Sequence, residues 1–201
     1  MKKAALLFVL LPLLAVAGFA QESRQDVSLG VTGVFPPDVY GNAVQEFGRN
    51  GMGGLASYRY MLTPRSAVEG NYQYSQNAYS FATSFLPNTR VHTRMQEVSA
   101  AYVFNFNYRK FNPFLEGGVG GYIFTPILSG TTYFDTKRQT EIGVLYGGGV
   151  AYEISPSFDI RAEFRGIVVK APSFKVPGNI FNTGRWMPTL SNPMIGVAYH
   201  F

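Results

Sequence analysis

Four charges of alternating sign, Asp159, Arg161, Glu163 and Arg165, stand two residues apart near the end of the chain. On an extended strand, residues two apart share a face, so this run lines up a carboxylate–guanidinium ladder on one side. Arg59, Glu69, Glu97 and Glu116 fall at similar alternating positions elsewhere. Such a set can do one of two things inside a protein. It can line a proton or ion path, or it can close on itself as a network of buried ion pairs, since burying charge is costly unless it is paired. The presence of both signs favours the network.

Other chemistries have less support. The chain has no cysteine, which excludes disulfides, thiolate nucleophiles and thiolate metal sites. Its two histidines, His92 and His200, stand in no cluster with acids at ligand spacing, so neither a metal nor another cofactor is expected. Small barrel enzymes that deacylate lipid A place serine and histidine close together on one strand. Arg90 and Arg94 occupy the positions two residues either side of His92, and no serine does. No catalytic group is assigned. His200 reads as a polar inward position in the last strand.

The elements that carry these charges are strands. Residues 158–168 alternate Phe158, Ile160, Ala162 and Phe164 against the charged ladder. The same period of two runs through residues 27–35, 67–74, 97–106 and 141–153, and the Gly-rich or Pro-interrupted stretches 51–61, 113–124 and 190–201 complete a set of eight. Each is near the roughly 9–11 residues that a tilted strand needs to cross a bilayer. The connections alternate in length: long at 36–50, 76–93, 125–139 and 171–189, short at 62–65, 107–112 and 154–157. Two of the short ones carry Thr63-Pro64 and Ser155-Pro156, a proline that presets φ beside a hydroxyl that can close the turn. Short turns at one end and long loops at the other are the pattern of bacterial membrane barrels, with the short turns and both termini periplasmic.

Composition agrees. Charged residues make up 14% against a usual value of about 25%, while aromatics reach 15%. Tyr60, Phe104, Phe106, Tyr108, Phe111, Phe114, Tyr152, Phe158, Tyr199 and Phe201 cluster near the short turns and the C-terminus. That is the placement of an interfacial belt, whereas a soluble sandwich would spread its aromatics along the inner face. The first twenty residues stand apart: Lys2 and Lys3, an apolar run broken by Pro12 and too short for a membrane helix, then Gly18-Phe19-Ala20. They read as a cleaved signal peptide (residues 1–20), with Ala15-Val16-Ala17 a second site where the cut could fall, before a single barrel domain (21–201). With no cysteine after it, a lipoprotein anchor is not expected. The formal charge is +5, and removing the two lysines of the leader takes it to +3. For an exported barrel this does not suggest nucleic-acid binding.

Gly196-Val197-Ala198-Tyr199-His200-Phe201 resembles the terminal strand signal of outer-membrane proteins, an aromatic at the last position and another two before it. The resemblance implies that Tyr199 and Phe201 are read by the barrel assembly machinery. The stretch from Phe111 through Tyr122 is similar to the fifth strand of the OmpA-type small barrels, and Gly147 through Phe164 to their sixth and seventh. The resemblance spans essentially the whole mature chain and implies a porin-family fold: an all-β, closed antiparallel transmembrane barrel of about eight strands, acting as a monomer in the outer membrane of a double-membraned bacterium. OmpA-type proteins often add a peptidoglycan-binding domain, which is not expected here.

Two functional expectations follow. The first is a structural and surface-interaction role, with the lumen plugged by ion pairs. The second is a narrow channel for small or apolar solutes, with a lipid A-modifying enzyme ranked behind both. Arg90, Arg94, Lys137 and Arg138, with Lys170, Lys175 and Arg185, fall in or beside the long loops. There they can pair with phosphates of lipopolysaccharide or simply be solvated.

Overall fold

The computed structural model describes residues 24–83, 89–127, 137–175 and 181–201; the leader expected at residues 1–20 lies outside them. Nine strands form one antiparallel sheet: β1 (Gln25–Val34), β2 (Val39–Gly41), β3 (Val44–Thr63), β4 (Ser66–Thr83), β5 (Thr89–Asn105), β6 (Phe111–Ile127), β7 (Gln139–Ser155), β8 (Phe158–Val168) and β9 (Leu190–His200). From β2 onward each strand pairs with the next in sequence, and β1 pairs with both β3 and β9, which closes eight of the strands into a barrel. The ninth, β2, is a short arm hydrogen-bonded to the start of β3. Its two-residue turn, Asn42-Ala43, has positive φ at both positions (49° and 59°), the twist that a tight hairpin needs.

Strand alternation sets two faces. Outward positions such as Leu29, Val31, Val98, Val119, Ile142 and Ile195 are apolar and exposed, with Ile142 at 76%. In a soluble protein that surface would be an unfilled hydrophobic patch. Around a closed barrel it is the band that meets lipid. Tyr102 and Phe164 lie on this face, while Gln73 and Ser99 point inward and are buried.

The wall has unequal height. β3 to β7 run 17–20 residues, well beyond a bilayer crossing, while β1, β8 and β9 run 10–11. Much of the sequence expected as long loops is therefore strand, above all residues 44–50, 76–83 and 89–93. These stretches carry polar outward residues and still pair along their length. On the low side, the β8–β9 connection folds over the mouth, with Val169, Ala171, Phe174, Phe181 and Met187 buried. Pro193, which has no N–H to donate, sits just past the last β1–β9 pair, Thr32–Met194.

A β-bulge interrupts β3. Arg49 faces Ala78 and Met52 faces Gln76, so three steps on β3 oppose two on β4. The extra residue reverses which side chains point inward above it. Below it Leu55, Ser57 and Arg59 face the lumen; above it Val44 and Glu46 do.

Candidate functional site: the filled lumen

An eight-stranded barrel has an interior that side chains can fill. Here they fill it in two tiers. The periplasmic tier is charged. Arg59 and Glu69 are direct partners across the β3–β4 turn, and the guanidinium donates from Nε to Glu69 Oε2 at 2.7 Å. Arg161 on β8 reaches the same Oε2 at 3.6 Å and donates to Asp26 Oδ1 on β1 at 3.1 Å. Arg165 collects three carboxylates: its Nη2 bonds Glu97, and its Nε lies 3.5 Å from Glu116 and 3.4 Å from Glu163. At the periplasmic rim, His200 Nε2 stands 2.8 Å from Asp159 Oδ2. All eight charged residues expected inside are buried, and Arg161 is 1% exposed despite its size.

Neutral groups complete the tier. Ser99 donates to Glu97 at 2.6 Å, Arg165 Nη1 to Gln73 Oε1 at 3.4 Å, and Asn192 Nδ2 to the same oxygen at 3.3 Å. The Phe114 ring lies 4.7 Å from the Arg59 guanidinium carbon and 5.7 Å from that of Arg161. This corrects the placement of Phe114 in the interfacial belt. It follows the inward parity of Glu116 on β6 and serves as a cation–π platform inside. Room for it comes from β7. Gly149 stands between Phe114 and Glu163, and Gly147 between Glu116 and Arg165. A Cβ at Gly149 would come within 2.7 Å of the Phe114 ring, and one at Gly147 within 2.7 Å of Glu116 Oε1.

Carboxylates outnumber guanidiniums here: Asp26, Glu69, Glu97, Glu116, Asp159 and Glu163 face Arg59, Arg161 and Arg165. Oxygens of Glu69, Glu116 and Glu163 lie within 4.8 Å of one another, close enough to share a cation. Guanidiniums of Arg59, Arg161 and Arg165 stand beside that group, and their positive charge opposes a metal ion there.

The external tier is apolar. Val34, Val44, Tyr79, Phe81, Met95, Tyr122, Phe124 and Leu145 from the wall pack with Phe174, Phe181 and Met187 from the β8–β9 connection. Phe81 and Phe181 stack at 4.4 Å, and Phe174 meets Phe81 and Tyr79 at 6.0 and 6.1 Å. Among the described residues one carboxyl intrudes. Glu46 is fully buried opposite Phe81, and neither carboxylate oxygen has a hydrogen-bond partner. It lies above the lipid-facing belt, and burial alone pushes its carboxyl well above the usual carboxylate range. Burial, with Glu46 nearby, raises the Tyr79 hydroxyl as well.

The remaining expected residues lie elsewhere. Arg90 and Arg94 project outward from β5; Lys137 and Arg138 are exposed just before β7, and the Lys137 N–H donates to the Phe174 carbonyl at 2.8 Å. Tyr199 and Phe201 are exposed near the C-terminal edge, their rings 6.0 Å apart. His92 is exposed on the outer surface of β5. Asp26 joins the network beyond the expected members; it stands two residues from Ser28 and six from Thr32, the parity of the inward face of β1.

Residues 6–201 match the family described as the outer membrane protein beta-barrel domain. The chain belongs to that family. No curated protein matches the sequence. Among solved structures, the outer membrane protein OprG from Pseudomonas aeruginosa is similar over 90% of this chain and 97% of its own, at 13% identity and a TM-score of 0.70. Neisserial surface protein A shows 17% identity and a TM-score of 0.57 over 89% and 98% of the two chains. Ail of Yersinia pestis, solved with the heparin analogue sucrose octasulfate, shows 17% identity and a TM-score of 0.55 over 90% and 100%. This outer-membrane barrel therefore shares its architecture with these proteins at low sequence identity, and it is an integral protein of the outer membrane.

Proposed function

We propose that this barrel is a closed, non-conducting and non-enzymatic protein that stabilises the outer membrane and presents its external end for surface contacts, including contacts with lipopolysaccharide. The observation that carries the reading is the stacking of two filled tiers. An ion-pair network anchored on Arg161 and Arg165 lies beneath an aromatic plug closed by Phe174 and Phe181. A continuous water column would have to pass both. Long paired side chains obstruct the first, and close aromatic and aliphatic packing obstructs the second. Against a lipid-modifying activity stands His92, flanked at two residues by arginines on an outward surface.

A second reading, a narrow path for small apolar solutes, draws on the aromatic external tier, which is chemically suited to such a solute. Below it the charged tier offers an apolar solute no onward partner. Uptake of small sugars and of small apolar solutes by vesicles containing the refolded protein separates the readings. The closed barrel admits neither class above the rate of empty vesicles, and selective entry of apolar solutes supports the path instead.

The C-terminal aromatics support recognition by the barrel assembly machinery during insertion. Deleting Phe201 is expected to lower the amount inserted in the outer membrane while leaving export unchanged. Equal insertion of the deletion and the parent contradicts that role.

A further inference from the structure

Just above the lipid-facing belt, the outer surface of β3–β6 carries cations in adjacent rows. Arg49, Ala78, His92 and Ile127 lie side by side across the four strands. One row nearer the membrane, Arg94 stands between Gln76 and Thr125; one row further out, Arg90 faces Ser80. Ala78 and Ser80 are small and buried although they point outward, while Arg49, Arg90, His92 and Arg94 around them are exposed. Among these rows lies an open cleft of about 200 Å³, lined by Asn50, Gln76, Ala78, Arg90, His92 and Ile127, with Arg49 and Arg94 in register positions beside its lining.

No acidic residue points outward in these rows, and among the described residues no ion pair ties Arg49, Arg90 or Arg94 to a carboxylate. Guanidiniums on one surface without carboxylate partners leave a net positive field that attracts an anion. The height of the cleft indicates which anion. Met52, directly opposite Gln76, and Tyr74, whose hydroxyl accepts from Gln76 Nε2 at 3.2 Å, are exposed members of the apolar band. The cleft opens where that band ends, at the level of lipid headgroups. Guanidinium pairs in bidentate fashion with phosphate oxygens, and the imidazole N–H adds a donor.

We propose that this cleft docks the phosphorylated headgroup of an outer-leaflet glycolipid, with Arg90 pairing to phosphate and His92 donating a hydrogen bond from its wall, and Arg49 and Arg94 reaching the headgroup from beside it. The site rests on the lipopolysaccharide contact proposed above and is independent of whether the lumen is closed. It separates Arg90 and Arg94 from Lys137 and Arg138, which lie beyond β6 at the entry to β7. It also adds Arg49, which lies more than forty residues away in sequence and faces outward only because of the β3 bulge.

The test uses the full chain refolded into zwitterionic phospholipid vesicles that contain lipid A in phosphorylated or dephosphorylated form. Retained lipid A is counted by native mass spectrometry, and circular dichroism verifies the fold. The parent should retain the phosphorylated form and lose it as salt is raised. The triple variant Arg49→Gln, Arg90→Gln, Arg94→Gln should weaken retention about tenfold or more, since three exposed charge-assisted contacts are lost together. Ala78→Leu fills the floor and leaves every charge in place, and it should weaken retention as well; Lys137→Gln with Arg138→Gln should not. Unchanged retention in the triple variant, with the parent still selective for phosphate, overturns this site alone. Retention of neither form by the parent overturns the lipopolysaccharide contact with it. Equal retention of both forms, or displacement of lipid A by a soluble sulfated sugar at equal phosphate and sulfate concentration, also overturns the proposal.

Discussion

The two ends of the lumen solve the same problem, filling a space as wide as eight strands, with opposite chemistry. The periplasmic tier uses charge. Its partners come from β1, β3, β4, β5, β6, β8 and β9, so each guanidinium ties several strands at once. The external tier uses aromatic and aliphatic packing, and two of its central rings, Phe174 and Phe181, come from a connection rather than from the wall. A buried ion pair fails badly when one member is removed, because the survivor is left charged without a partner. An apolar cluster loses a packing term and the rest can close in part. The charged tier should therefore be brittle and the apolar tier forgiving.

The largest break expected of that comparison is Arg165→Ala. It leaves Glu97, Glu116 and Glu163 without their shared cation, and equilibrium unfolding by urea in lipid vesicles should register a loss of about 3–5 kcal/mol. A loss below about 1 kcal/mol would mean that water already screens these groups, on the scale of an exposed pair. Phe81→Ala, the corresponding change above, removes the ring stacked on Phe181 and should cost about 3 kcal/mol, at the low end for Phe→Ala because the site borders a connection. Its signature should be local: faster amide exchange in residues 169–175 and 181–189 with the barrel strands unchanged. Uniformly faster exchange would show that the two tiers unfold as one unit.

The smallest effect sharpens the contrast by titration. Glu46 has a raised carboxyl, so the folded state holds a proton that the unfolded chain gives up. That stabilisation is complete at low pH and is lost as pH rises above the ordinary carboxylate range. Glu46→Gln, which mimics the protonated acid, should leave stability unchanged in acid and raise it by about 1–2 kcal/mol at alkaline pH, where the parent would have to bury an unpaired charge. Thermal unfolding at acid and alkaline pH reads the difference. A gain of the same size at both would assign the effect to packing rather than to the proton.

Much of this was legible in the sequence, and the exceptions have identifiable causes. The period of two put Asp159, Arg161, Glu163 and Arg165 on one face, and the turn at Thr63–Arg65 set Arg59 opposite Glu69. The apolar tier was not read, although Val91 and Met95 share the parity of Glu97, and Tyr79 and Phe81 that of Gln73. Long polar-outward strands above the bilayer resemble loops in composition, so the alternation there went unrecognised. Glu46 could not be placed by parity at all, because the bulge between Arg49 and Met52 inverts the faces of β3 above it. Phe174 and Phe181 come from outside the strand pattern, and only the folded connection brings them to Phe81.

Conductance in a planar bilayer tests the closed lumen most directly, in the parent and in Arg161→Ala. Arg161 joins Asp26 and Glu69 at the middle of the charged tier. The account predicts no steady current through the parent. In the variant it predicts at most small transient currents, since the apolar tier still seals the external end. Stable, large conductance in the parent, unaffected by Arg161→Ala, would contradict it and make the inward charges the lining of an aqueous path.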